Sequence, residues 1–199
     1  LAQLIKEMSY MLEVAQRALD KAMDNFINRT EDEEPVRKDL REINFLSGKV
    51  TDYLIRLSEE DMSHNDELTV SSLYKVLGDI MRVADFSNNI MRYLRVAVAN
   101  ELYFSSEGLN EIKEMYSLVD ELFKDVDYTF ANRTTRLLAK IEDTESKTDK
   151  FKLQLQQNHL DRLKGGNCKS ESSSLYVNLI GNIERVADHL VYIAQSVKE

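Results

Sequence analysis

The sequence predicts an all-α chain built as two tandem antiparallel three-helix bundles. One Pro and six Gly in 199 residues leave hairpin-rich folds short of turn glycines, whereas long helices need neither residue. Apolar residues recur at three- and four-residue spacings through most of the chain, and runs of strict alternation are scarce. The segment Gly181-Asn182-Ile183-Glu184-Arg185-Val186-Ala187-Asp188 also echoes Gly78-Asp79-Ile80-Met81-Arg82-Val83-Ala84-Asp85, 103 positions earlier, with six of eight residues identical. An echo at about half the chain length marks a duplication.

Six helices follow in order. The first covers about Leu1 to Ile27, with Leu4, Met8, Met11, Leu12, Ala15, Leu19 and Met23 on one stripe. The acidic run Glu31 to Glu34 and Pro35 signal a second start, since negative charge suits the helix dipole and Pro lacks an N–H that a first turn would leave unpaired. The second helix spans about Pro35 to Asp61, and Met62 to Glu67 reads as a polar turn. The third covers about Leu68 to Ala99 and carries the first repeat copy. Asn100 to Gly108 connects the halves, giving residues 1–100 and 101–199 as the two bundles. The fourth helix covers about Leu109 to Ala131, and the fifth about Thr135 to Lys164. Gly165-Gly166 ends the fifth, because glycine accepts the left-handed conformation at a helix C-terminus. Ser170 to Ser174 supplies N-cap candidates for a sixth helix that continues to Glu199. Helices of about 25–30 residues are roughly 40 Å long at 1.5 Å per residue, so the molecule is expected to be elongated.

Composition narrows the function. A hydrophobic share of 43% beside 31% charged residues fits a folded domain with a real core. The net charge of −9 repels nucleic acid and anionic lipid at long range and attracts cations. Cys168 is the only cysteine, which excludes an internal disulfide and a multi-cysteine zinc site. No apolar run is long enough to span a bilayer, and no signal-peptide pattern opens the chain. It begins at Leu1 rather than Met, so either residues precede Leu1 or this is a piece of a longer polypeptide.

The repeat copies differ in their acids. Glu184 and Asp188 stack four apart on one helix face, just outside the stripe Leu179, Ile183, Val186, Leu190, Ile193 and Val197. Glu145 and Asp149 repeat that spacing on the fifth helix, at the edge of its own stripe of Leu137, Ile141, Thr148, Phe151, Leu155 and Leu163. Adjacent fifth and sixth helices would set four carboxylates across a groove, where they repel unless a cation neutralises them. Oxygen-only ligands suit Mg²⁺, Ca²⁺, Mn²⁺ or iron. Composition alone supplies about six acidic i,i+4 pairs, so a solvated helix edge explains either pair in isolation; the repeat singles these two out.

Other residues carry plainer readings. His159 falls at the centre of the fifth-helix stripe, as a hydrogen-bonded core histidine would. His189 points away from the carboxylates, and His64 sits in a turn with Asp61. Paired Glu-x-x-His motifs for a di-iron oxidase are missing, as are a nucleophile–base set and a Gly-rich phosphate loop. The chain is therefore read as non-enzymatic. Arg82 and Arg185, at equivalent repeat positions, are expected to pair with neighbouring carboxylates.

Asn182-Ile183-Glu184-Arg185-Val186-Ala187-Asp188-His189, followed by Ile193-Ala194, resembles the most recognisable stretch of the PhoU family. Asn158-His159-Leu160-Asp161-Arg162-Leu163, with Gly166 and Cys168 after it, is similar to the PhoU-like regions at the cytoplasmic C-terminus of bacterial sodium/phosphate cotransporters. Ile43-Asn44-x-Leu46 with Tyr53-Leu54 fits that subgroup too. The resemblance implies two three-helix bundles with acidic-x-x-x-Asp motifs and surface metal clusters. It implies a regulatory module tethered to the inner face of the membrane, partnered by a transporter domain in the same chain or another, and compatible with a homodimer. A free-standing negative regulator that docks on a phosphate transporter and its sensor kinase is the alternative. The first bundle departs from the pattern: Met81 replaces one acid, and Leu40 and Asn44 stand where Glu and Asp are expected. The implied metal ligands are thus Glu145, Asp149, Glu184 and Asp188, with Asp85 as a lone remnant. The ion would be divalent or trivalent: iron, zinc, manganese or magnesium.

Overall fold

The computed structural model describes residues 1–198. It comprises α1 (Ala2–Asn28), α2 (Glu34–Ser58), α3 (His64–Ala99), α4 (Ser106–Ala131), α5 (Leu138–Lys164) and α6 (Ser173–Gln195), with short 3₁₀ turns at Ser170–Ser172 and Ser196–Lys198. No strand occurs among the described residues. Helices α1 to α3 pack as one three-helix bundle and α4 to α6 as a second. The bundles meet where α3 lies on α6 and α1 lies on α4. A continuous apolar core runs through both, from Leu4 to Ala194.

Local chemistry sets the helix ends. Helix α3 starts at His64, four residues before the polarity of Met62–Glu67 suggested, because the Ser63 hydroxyl accepts the Asp66 N–H at 3.2 Å and donates to the Asp66 carboxylate at 2.7 Å. That polar stretch is a capped first turn, not a loop. Ser105 caps α4 in the same way, on the Gly108 N–H at 3.0 Å. Helix α5 starts at Leu138, later than Thr135, since its N-terminus has no side-chain cap. The serines before α6 do not cap it. Ser172 instead bonds the Lys169 carbonyl at 2.9 Å, and Ser173 bonds His159 Nε2 at 2.8 Å.

Four helices end on a left-handed residue. Arg29 (φ 53°), Glu101 (φ 52°), Arg133 (φ 47°) and Gly166 (φ 72°) follow α1, α3, α4 and α5. In each case the next N–H reaches back five residues, as Thr30 to Asn25, Leu102 to Ala97, Thr134 to Thr129 and Asn167 to Arg162. This is the Schellman arrangement. Of Gly165-Gly166, only Gly166 uses glycine's freedom; Gly165 stays at φ −77°.

A second duplication emerges here. Asn28-Arg29-Thr30 recurs as Asn132-Arg133-Thr134. Arg29 donates to the carbonyls of Leu102 at 2.7 Å and Ala97 at 3.1 Å, and Arg133 donates to the Ser196 carbonyl at 3.4 Å. In both bundles the arginine after the first helix therefore closes the C-terminal end of the third, where positive charge is favoured.

Polar contacts join the bundles. Asn182 accepts from Asn89 at 2.9 Å and donates to the Tyr93 hydroxyl at 2.9 Å. His189 Nδ1 meets Asp79 at 2.7 Å, turned away from the α6 carboxylates. On the other side, Ser9 donates to Asp127, and the Tyr116 hydroxyl donates to Asp20 at 2.5 Å. Asp120 lies beside Asp20 there, and the two carboxyls raise or lower one another's pKa. The expected ion pairs of Arg82 and Arg185 do not form among the described residues. Arg82 lies over the Phe86 ring at 5.8 Å, and Arg185 is exposed. Each long arginine stem has a free solvent side, so no carboxylate is needed to hold it.

Candidate functional site

Helices α5 and α6 lie side by side, which follows from their sequences. Ile141, Thr144, Thr148 and Leu155 are buried on α5, as are Ile183, Val186, Ala187 and Leu190 on α6. The Thr144 and Thr148 hydroxyls bond the carbonyls of Lys140 and Thr144 at 3.0 and 2.9 Å. That satisfies them inside the seam and lets a hydrophilic helix pack closely. The acids of both helices then fall at the rim of the seam. Glu145, Glu184 and Asp188 are half-buried, and Asp149 is exposed.

Glu145, Asp149 and Asp188 each present an oxygen within 4.8 Å of the other two. Among the described residues no other set of three metal-ligating side chains comes this close. Partial burial, hydrogen bonding to Asp149, and the charges of Asp149 and Asp188 push the Glu145 carboxyl up to about 7. The Glu184 carboxyl is raised by partial burial, by the Asp188 charge and by Asp149 beside it. It also takes an ion pair from Lys152, with Nζ 3.3 Å from Oε2. Three of the four acids picked out by sequence thus converge, while the fourth bridges the cluster to a lysine.

The cluster fits a hard cation. All its donors are carboxylate oxygens, the ligand type such ions take, and their mutual repulsion is what a cation would relieve. Glu145, Asp149 and Asp188 would hold the ion, with Glu184 beside them. The first bundle offers nothing comparable. Asp85 is exposed, Met81 is half-buried, Leu40 is in the core, and Asn44 is exposed.

Lys152 escaped the sequence reading, although its position three after Asp149 places it on the same helix face. A second polar cluster was also missed. Arg162, 8% exposed, pairs with Glu111, whose other oxygen accepts the Tyr176 hydroxyl at 3.2 Å. Burial and the Glu111 charge push the Tyr176 hydroxyl up to about 12. His159 stacks on Tyr176 at 4.7 Å and bonds Ser173, as a core histidine should. This cluster is fully partnered and ties the ends of α4, α5 and α6 together.

Comparison with known proteins agrees with this architecture. The chain matches the PhoU domain over residues 8–94 and 112–197. It is 24% identical over 128 residues to the phosphate-specific transport system accessory protein PhoU homolog 1 of Thermotoga maritima, covering 64% of this chain and 54% of that protein. It is also 24% identical over 176 residues to the putative inorganic phosphate export protein YjbB of Escherichia coli O157:H7, covering 84% of this chain and 31% of that protein. The chain therefore spans about half or less of the curated relatives it matches. The crystal structure of PhoU from Pseudomonas aeruginosa superposes with a TM-score of 0.83 over 98% of this chain and 93% of that one, at 16% identity. That likeness establishes the shared fold. With the PhoU domain matched across both bundles, the chain belongs to the PhoU family.

Proposed function

We propose that this protein is a non-enzymatic regulatory module of phosphate transport that works by protein–protein contact at the inner face of the cell membrane. The observation that carries the reading is the PhoU domain match across both halves of the chain. The likeness to a transport-system accessory protein favours a PhoU-type regulator that docks on a phosphate transporter over a built-in cotransporter domain. The second reading, a PhoU-like region attached to a phosphate-moving membrane domain, draws on the export protein, whose match takes in 84% of this chain but only 31% of that protein. Residues 1–100 and 101–199 serve as two units in either case. The second carries the cation site, Glu145, Asp149, Glu184 and Asp188; Asp85 has no partners for one. A bound divalent or trivalent ion (manganese, iron, magnesium or zinc) would cancel the carboxylate repulsion and hold α5 and α6 in one arrangement for a partner to read.

Two measurements test this. Removing the gene should change phosphate uptake and its response to external phosphate, with restoration by the wild-type chain; uptake indifferent to the gene refutes the role. For the cation, Mn²⁺ should raise the melting temperature of the wild-type protein and not that of the Glu184→Ala/Asp188→Ala variant. The gain should be larger at pH 8 than at pH 6, because Glu145, held up to about 7, must lose its proton to bind. Equal stabilisation of both proteins removes the site.

A further inference from the structure

The four carboxylates at the α5–α6 rim are not alone. Lys152 lies three residues after Asp149 and seven after Glu145, on the face of α5 that looks toward α6. Its ammonium sits 3.3 Å from Glu184 Oε2. The side chains of Lys152 and Glu184 are only 29% and 16% exposed, so their attraction is less screened than that of an open surface pair. Glu184 in turn lies beside Asp149, which helps raise its carboxyl, and so the lysine is continuous with the acidic set. The three oxygens that converge closely are those of Glu145, Asp149 and Asp188. The carboxylate outside that set is the one bonded to the lysine.

Resting on the cation site proposed above, we infer that Lys152 is a resident counter-ion that limits how many cations the four-carboxylate rim takes and how tightly. Four carboxylates carry enough negative charge for more than one divalent ion. An ammonium fixed at one end neutralises one of them and repels any ion placed beside it. Lys152 thus reserves Glu184 and leaves a three-carboxylate site, and it holds α5 against α6 when no ion is bound. It is a positioning and charge-setting residue, not a ligand.

Lys152→Met keeps the apolar stem and removes the charge; Lys152→Arg keeps the charge. Binding of Mn²⁺ to the metal-stripped proteins, followed by titration calorimetry with metal analysis of the dialysed samples, reads stoichiometry and affinity. The Met variant should bind Mn²⁺ about tenfold more tightly, as expected for removing one nearby charge, or take up a second ion, while the Arg variant matches wild type. In the presence of a chelator the order reverses: the Met variant should unfold at lower urea than the wild-type and Arg proteins. Mn²⁺ binding identical in wild type and Lys152→Met overturns the assignment to Lys152 and leaves the site standing. Binding by neither overturns both. Binding by Lys152→Met alone overturns the three-carboxylate site in the wild-type protein, and with it the claim that the lysine only limits cation uptake.

Discussion

Arg162 shows what a single buried charge does in this fold. It is 8% exposed, and Glu111, its partner, also receives the Tyr176 hydroxyl. Arg162→Ala strips a half-buried carboxylate of its cation and leaves the tyrosine with an unbalanced acceptor. The expected loss is about 3 kcal/mol of stability, read from urea unfolding monitored by circular dichroism. A loss under about 0.5 kcal/mol would mean that Glu111 swings out to solvent. His159, one turn away, adds a pH term. Burial and the Arg162 charge lower its pKa, so the fold favours neutral imidazole. That contribution is present above the unfolded histidine value and is lost as pH falls below it.

Helix boundaries were the least legible part of the sequence, and the reasons are local. Helix existence was written plainly in apolar periodicity: Met8, Leu12, Ile141, Leu155, Leu179 and Leu190 all lie in the core as their spacing required. The start of α5 was shifted because no side chain caps its N-terminus, and that of α3 because a capped first turn is as polar as a loop. Only the bond between Ser63 and Asp66 separates the two. Left-handed ends at Arg29, Glu101 and Arg133 carried no glycine to announce them. In the candidate site, the acidic pairs were visible from spacing and repetition. Lys152 was not, because its role depends on which face of α6 it meets. At the element scale, Gly166→Ala should cost about 1 kcal/mol, since its φ of 72° places any Cβ in the left-handed region. No neighbouring atom lies within 4 Å of that Cβ, so a thermal melt reports backbone strain alone. No change would show that the turn relaxes.

The whole molecule is held by two seams of different character. The α3–α6 seam uses the neutral chain of Asn89, Asn182 and Tyr93 beside the contact of His189 with Asp79. The α1–α4 seam places carboxyls against one another, Asp20 beside Asp120 with the Asp24 charge nearby. Desolvation at the seam and the Asp20 charge push the Asp120 carboxyl up to about 6. A carboxyl raised in the fold supports stability below its unfolded value, near 4, and that support is lost as pH rises through about 6. Asp120→Asn, which stays neutral, should therefore unfold at higher urea than wild type at pH 7.5, and the difference should shrink as pH falls and vanish only below the unfolded aspartate value near 4. Comparing the two proteins at each pH cancels the opposing histidine term. Identical pH profiles would show that the acids separate freely.

The paired arginines at 29 and 133 have a consequence for synthesis. Arg29 cannot close its bundle until the carbonyl of Leu102 exists, and Arg133 must wait for that of Ser196. At about 5–20 residues per second, the second closure trails the first by roughly 5 to 20 s. During that interval a finished first bundle exposes the faces of α1 and α3 meant for α4 and α6. A nascent chain of this kind therefore has an obligatory sticky stage, and any chaperone that attends it has a defined surface and a defined moment to do so.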